Sequence, residues 1–152
     1  MKPDHSQNPE NRSIHIPYQV DETTNRNHFY ENHWKRVALE LLARHEPDLK
    51  GMTLLDYGCG RGETLEYSAA LGMRPTGLDV DPECVRIAQG RGEASILDLN
   101  RAAEQVGTGS FDVVTCFHVL EHVDNTKEVL TMLRRAARRY VLVAVPNLRQ
   151  IS

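Results

Sequence analysis

The chain has 152 residues, 40% of them hydrophobic and 26% charged, with a formal net charge of −3. Such a length holds one domain with a single core, the composition excludes wholesale disorder, and the slight acidity excludes a global attraction to nucleic acid or anionic membrane. Three cysteines, Cys59, Cys84 and Cys116, lack metal-ligand spacing and fit reduced thiols in a cytoplasmic compartment. The N-terminal stretch has no apolar leader core and no run approaches the ~18 apolar residues of a membrane span, so neither export nor insertion is expected.

Residues 1–28 are polar and proline-punctuated and read as a flexible arm. Within them Ile14, Ile16, Tyr18 and Val20 alternate, and Pro17 demotes that segment to an edge strand or an extended arm. From Asn27, a candidate N-cap, the residues Tyr30, Trp34, Val37, Ala38, Leu41, Leu42 and His45 recur at helical spacing, with Pro47 beyond the end, which predicts a helix of about 18 residues. Strand-like runs follow at Thr53 to Tyr57, Pro75 to Asp79, Ala94 to Leu97, Phe111 to Cys116 and Tyr140 to Val145. Between them, Asp81, Pro82 and Glu83 open a helix over Cys84 to Gln89 with a cap, a first-position proline and a dipole-matched acid. Asp124 or Asn125 opens "TKEVLTMLRRAARR", where Val129, Leu130, Leu133 and Ala137 form the inward stripe. Strands alternating with helices at this rhythm mean an α/β fold over residues 29–152: a Rossmann-like, open, mainly parallel sheet of about five strands with helices on both faces.

The stretch "LLDYGCGRGETLE" places Gly58, Gly60 and Gly62 directly behind the first strand, at the switch point where such sheets bind ligands. Asp79 closes the second strand 21 residues after Gly58, near the spacing of a carboxylate that binds ribose hydroxyls. A dinucleotide fingerprint would carry glycine at position 63; Glu63 stands there, a charge disfavoured beside a pyrophosphate, and no phosphate-binding G-x-x-x-x-G-K motif occurs. An adenosine without phosphate, bearing a cationic sulfonium and an amino group, suits Asp56, Glu63 and Asp79 better.

With "GLDVDPECVRIA", "FDVVTCFHVLEHV" and "YVLVAVPN" following in that order, residues 52–147 resemble the successive motifs of class I S-adenosylmethionine-dependent methyltransferases. Within that family the chain is most similar to the small-molecule enzymes of ubiquinone biosynthesis and the methionine-biosynthesis-associated type. The resemblance implies S-adenosylmethionine as cofactor and methyl transfer to a small-molecule acceptor. It implies that Asp56, Tyr57, Gly58, Cys59, Gly60 and Gly62 line the methionine moiety, and that Asp79 binds the ribose with Val80 beside the adenine. Asp98 would take the adenine amino group with Leu99 on the ring, although a helix cap is its simpler role, while Phe117 and His118 would approach from the other side. Methyltransferases of this class continue past the fifth strand to further strands, so the chain is expected either to be part of a longer protein or to self-associate through an exposed sheet edge.

His118, Glu121 and His122 share one face if the segment is helical, and His118 or His122 is the candidate catalytic base. Some small-RNA methyltransferases hold magnesium with Glu-x-x-Glu-His; His118 replaces the first of those acids here, and imidazole suits magnesium poorly, so no metal is expected. The run Arg134 to Arg139 complements a helix C-terminus and lacks interleaved aromatic residues, which disfavours nucleic acid as a partner. Tyr30 and Trp34 read first as core, with a lid role open to them and to Tyr18. Two rival functions stand beside small-molecule methylation: a cofactor-binding module without activity of its own, and an RNA methyltransferase using the arginine run.

Overall fold

The structure, a computed structural model, describes residues 26–146, with side chains from residue 33 onward. The alternating segment Ile14 to Val20, with Tyr18, lies outside the described residues, as do positions 147–152 and the side chain of Tyr30. Five strands, β1 (Thr53–Tyr57), β2 (Arg74–Asp79), β3 (Glu93–Ile96), β4 (Phe111–Phe117) and β5 (Ala137–Ala144), lie in the order β3-β2-β1-β4-β5. Every pairing is parallel. The helices are α1 (Arg26–His45), α2 (Glu63–Ala70), α3 (Pro82–Ala88), α4 (Ala102–Val106) and α5 (Thr126–Ala136), with a 3-10 turn at Leu120–His122. This is the Rossmann-like architecture expected from the alternation of elements.

The two faces separate residue by residue along β1, because successive strand side chains point opposite ways. Leu54 packs with Leu39 and Leu42 of α1, Tyr67 of α2 and Val113 of β4. Leu55 and Tyr57 pack on the other side with Val106 of α4, Val129 and Leu133 of α5 and Val114 of β4. A third cluster joins Cys59 and Leu65 to Val85 and Ala88 of α3. Each fully buried leucine in these layers contributes about 1.5–3 kcal/mol. The chain runs outward from β1 to β3 and then returns to β4 on the other side of β1, so the loop after β1 sits at the reversal point.

Several local expectations change. The N-cap of α3 is as expected, with Asp81 accepting the amides of Glu83 and Cys84. Asn27 lies inside α1, not at its start, and Trp34 and Leu41 are 56% and 57% exposed, so neither is core; Leu39 carries that face. A helix with only one neighbouring sheet face buries a narrower stripe than its apolar residues allow. Helix α5 ends at Ala136 and β5 begins at Ala137, earlier than expected. Its stripe is Val129, Leu133 and Ala136, with Leu130 exposed. The arginine run is therefore divided. Arg134 and Arg135 close the helix, whereas Arg138 pairs with Asp112 and Arg139 with Glu46 on the strand.

Candidate functional site

The three glycines of the turn after β1 serve different ends. Gly60 has φ 54°, and a Cβ built there would meet nothing within 4 Å, so this position alone opens outward. Gly58 is needed because a side chain would collide with Val119, and Gly62 because α3 approaches through Ala88. Val119 thus packs the segment after β4 directly against the turn.

Four of the turn's amides are already engaged. Gly58 and Cys59 donate to the Leu78 carbonyl at 2.7 and 2.9 Å, and Gly62 donates to the Cys59 carbonyl at 3.0 Å. Gly60 donates to Asp79 Oδ2 at 2.8 Å. A phosphate-binding turn presents free amides to its anion; this one presents a carboxylate and an open glycine.

Asp79 ends β2, and its other oxygen accepts the Asp81 amide at 2.9 Å. Beside it Val80 is 54% exposed, and across the sheet end Leu99 is 68% exposed. Asp98 accepts the Asn100 amide at 2.9 Å in a local turn and does not cap α4, whose N-cap is Arg101.

Asp56 is buried beneath the turn. Thr115 of β4, its register partner, donates to Oδ1 at 2.7 Å, whereas Oδ2 has no hydrogen-bond partner. Burial pushes this carboxyl up to about 6 against the opposing pull of Lys35 and of the Thr115 and Thr64 hydroxyls. Lys35, on α1, reaches Glu63 Oε2 at 3.3 Å, and Arg91 approaches the same carboxylate at 3.6 Å. Burial opposes Glu63 ionisation, but Lys35 and Arg91 outweigh it and hold the carboxyl below its usual range. The Glu63 charge, expected from sequence to meet the ligand, is instead taken up by these two cations.

Tyr57 points its ring into the opposite core, towards an open groove of about 930 Å³ between α4 and α5 that Leu99 and His122 also line. Cys59 packs its thiol inward, and burial pushes it up to about 12. Phe117 is buried at the end of β4.

His118 follows with φ 56°, a left-handed conformation that disfavours a side chain, and its amide donates to the Ala144 carbonyl at 2.8 Å. The expected helix through His118, Glu121 and His122 does not form; only Leu120–His122 makes a 3-10 turn. Glu121 still lies between the two imidazoles, 3.8 Å from His118 Nδ1 and 3.8 Å from His122 Nε2. Among the described residues no three such groups converge as metal ligands. Lys35, Thr115, Thr64, Arg91 and Val119 were not foreseen. Nothing in the local sequence marks Lys35, Thr115, Arg91 or Val119, because each comes from an element distant along the chain, whereas Thr64 directly follows Glu63 and its hydroxyl favours the Asp56 anion.

A model of a methyltransferase domain family matches residues 26–151. The chain belongs to that family. Its curated relatives include the ubiquinone biosynthesis O-methyltransferase of Xanthomonas oryzae pv. oryzae, 40% identical over 96 residues, covering 58% of this chain and 39% of the relative. The enzyme of the same name from Erwinia tasmaniensis is 34% identical over 100 residues, covering 62% and 41%. The chain therefore spans about two fifths of the length of these relatives. Among solved structures, the magnesium protoporphyrin IX methyltransferase of Synechocystis PCC 6803 superposes with a TM-score of 0.67 at 20% identity, covering 81% of this chain and 61% of that one. A methyltransferase from Archaeoglobus fulgidus gives 0.63 at 23% identity, covering 82% and 60%. The fold of this methyltransferase domain is thus the class I fold.

Proposed function

We propose that this methyltransferase domain binds S-adenosylmethionine and serves methyl transfer to a small-molecule acceptor. The observation that carries the reading is the turn itself: the amides of Gly58, Cys59, Gly60 and Gly62 are satisfied within the protein, Gly60 is open, and the Asp79 carboxylate stands beside it. A phosphate ligand would meet the Asp79 carboxylate beside Gly60, while a cationic nucleoside finds an acceptor there. Asp79 would take the ribose hydroxyls, exposed Val80 and Leu99 would flank the adenine, and Asp98 would accept its amino group. The stretch Asp56 to Gly62 would line the methionine moiety, with the unpartnered Asp56 Oδ2 as the buried acceptor. When bound, this cofactor supplies an electrophilic methyl group on its sulfonium.

His118, held in its strained conformation after β4, would accept the acceptor's proton, and Glu121 at 3.8 Å would stabilise the imidazolium that results. His122 lies on the far side of Glu121, with its side chain 77% exposed, and is the second candidate. The relatives' names support an oxygen acceptor on a small molecule. Nucleic acid is disfavoured, since two of the run's four arginines are neutralised by Asp112 and Glu46. Free thiols at Cys59, Cys84 and Cys116 support a reducing, cytoplasmic setting, and no described helix is long and apolar enough to cross a membrane. Among the described residues β5 is an edge strand, and Val143 on it is 43% exposed, which supports association of two copies there.

Calorimetric titration with S-adenosylmethionine and S-adenosylhomocysteine tests the cofactor, and mass spectrometry of metabolites methylated in a lysate tests the acceptor. Saturable binding with a product in the metabolite fraction is expected. Binding without any product would favour the inactive module, and no binding would refute the reading.

A further inference from the structure

Resting on the cofactor reading above, we infer that Thr115 is a positioning residue that keeps the Asp56 carboxylate ionised and aimed beneath the glycine turn, so that cofactor binding is coupled to release of a proton from Asp56. The two residues are register partners on β1 and β4, the strands that flank the reversal point. Both side chains are fully shielded, at 1% and 0% exposure. The Thr115 hydroxyl has two acceptors in reach, Asp56 Oδ1 at 2.7 Å and the Leu55 carbonyl at 3.3 Å. Its one proton goes to the closer and charged acceptor while Asp56 is ionised, and the carbonyl is its alternative when the carboxyl oxygen itself carries a proton.

Two buried oxygens here lack a well-formed hydrogen bond, Asp56 Oδ2 and Thr64 Oγ1, and the Thr64 hydroxyl is close enough to favour the Asp56 anion. Buried acceptors left unpaired are costly and mark a place where a ligand or water completes the set. The groups around Asp56 come from every adjoining element. Lys35 on α1 favours the anion, and Glu63 on α2 opposes it. Cys59 in the turn and Cys116 on β4 are both pushed up to about 12 by burial and stay neutral. With the Asp56 carboxyl itself at about 6, ionisation near neutrality has a narrow margin, held by Lys35 and by the Thr115 and Thr64 hydroxyls, of which Thr115 is the larger contributor.

The sign follows directly. A ligand whose α-ammonium group lies against Asp56, a group S-adenosylhomocysteine keeps although it lacks the sulfonium, prefers the ionised form, so its apparent affinity is level above about pH 7 and falls below pH 6, by up to about tenfold per unit. Replacing Thr115 by valine keeps the shape and removes the donor, moving the Asp56 titration upward by about one unit. Affinity then falls about fivefold at pH 6 and is nearly unchanged at pH 8.

The experiment compares wild type, Thr115→Val and Thr115→Ser. Aspartate side-chain ¹³C resonances of the ligand-free protein are titrated by NMR, with Asp56→Asn providing the assignment. S-adenosylhomocysteine is titrated calorimetrically at pH 6 and pH 8. The expected result is an upward-shifted Asp56 titration and a pH-confined affinity loss in Thr115→Val, both restored in Thr115→Ser. An unmoved Asp56 titration, or an equal affinity loss at both pH values, overturns the positioning role while the cofactor reading stands. A wild-type chain that binds no S-adenosylhomocysteine at either pH overturns the coupling together with the cofactor reading, whatever the NMR shows.

Discussion

Asp79→Ala separates a ligand-binding carboxylate from one that only staples the turn. Asp79 holds two amides, Gly60 at 2.8 Å through Oδ2 and Asp81 at 2.9 Å through Oδ1. Hydrogen bonds to a charged group contribute about 1.5–3 kcal/mol when buried, and Asp79 is only half-buried, so ~1 kcal/mol each is the better figure. The substitution should therefore lower stability by about 1–2 kcal/mol, a fall of roughly 3–8 °C in Tm for a domain of this size. If the ribose also rests on Asp79, a further ~1–3 kcal/mol is lost from binding, and Kd should rise about 5- to 150-fold. Thermal unfolding read by circular dichroism gives the first quantity, and calorimetric titration with S-adenosylhomocysteine gives the second. Asp79→Asn, which keeps one acceptor oxygen, should fall between alanine and wild type on both scales. A lowered Tm with unchanged Kd would refute the reasoning, because Asp79 would then serve the turn alone and the ligand would lie elsewhere.

Gly60→Val meets no atom within 4 Å, so its only internal cost is a β-branched residue at φ 54°, about 1–2 kcal/mol. Circular dichroism should show the fold retained while cofactor binding is abolished, and tight binding by this variant would show the turn to be merely structural. His118→Gly should relieve the left-handed strain and raise stability by up to ~1 kcal/mol in a denaturant melt, yet slow methyl transfer once an acceptor is known. Undiminished transfer would remove His118 as the base. Val143→Lys places a charge on the exposed side of β5 and should shift any dimer to monomer in sedimentation velocity, whereas an unchanged distribution would exclude that edge.

Periodicity carried most of the architecture. β1 matches its expected bounds at Thr53–Tyr57 because it is a short apolar run closed by a glycine turn, and α3 starts where Asp81, Pro82 and Glu83 place it. The position of Gly60 and Asp79 at the ends of β1 and β2 was legible for the same reason, since strand ends and turn chemistry are both local in sequence. What sequence could not decide was which atoms each charge would meet. Glu63 reads as a free carboxylate until α1 folds across α2 and brings Lys35 to 3.3 Å. The arginine run reads as one cationic patch until the register Phe111↔Ala137 starts a strand at its middle and gives Arg138 to Asp112. Trp34 reads as core until α1 is seen to bury only one side. Thr115 is an ordinary strand residue 59 positions from Asp56, and only the pairing of β1 with β4 makes it the donor to that carboxylate. Side-chain period and turn residues act over a few positions along the chain, whereas electrostatic partners and hydrogen-bond donors act through space, and their distances exist only once the sheet is assembled.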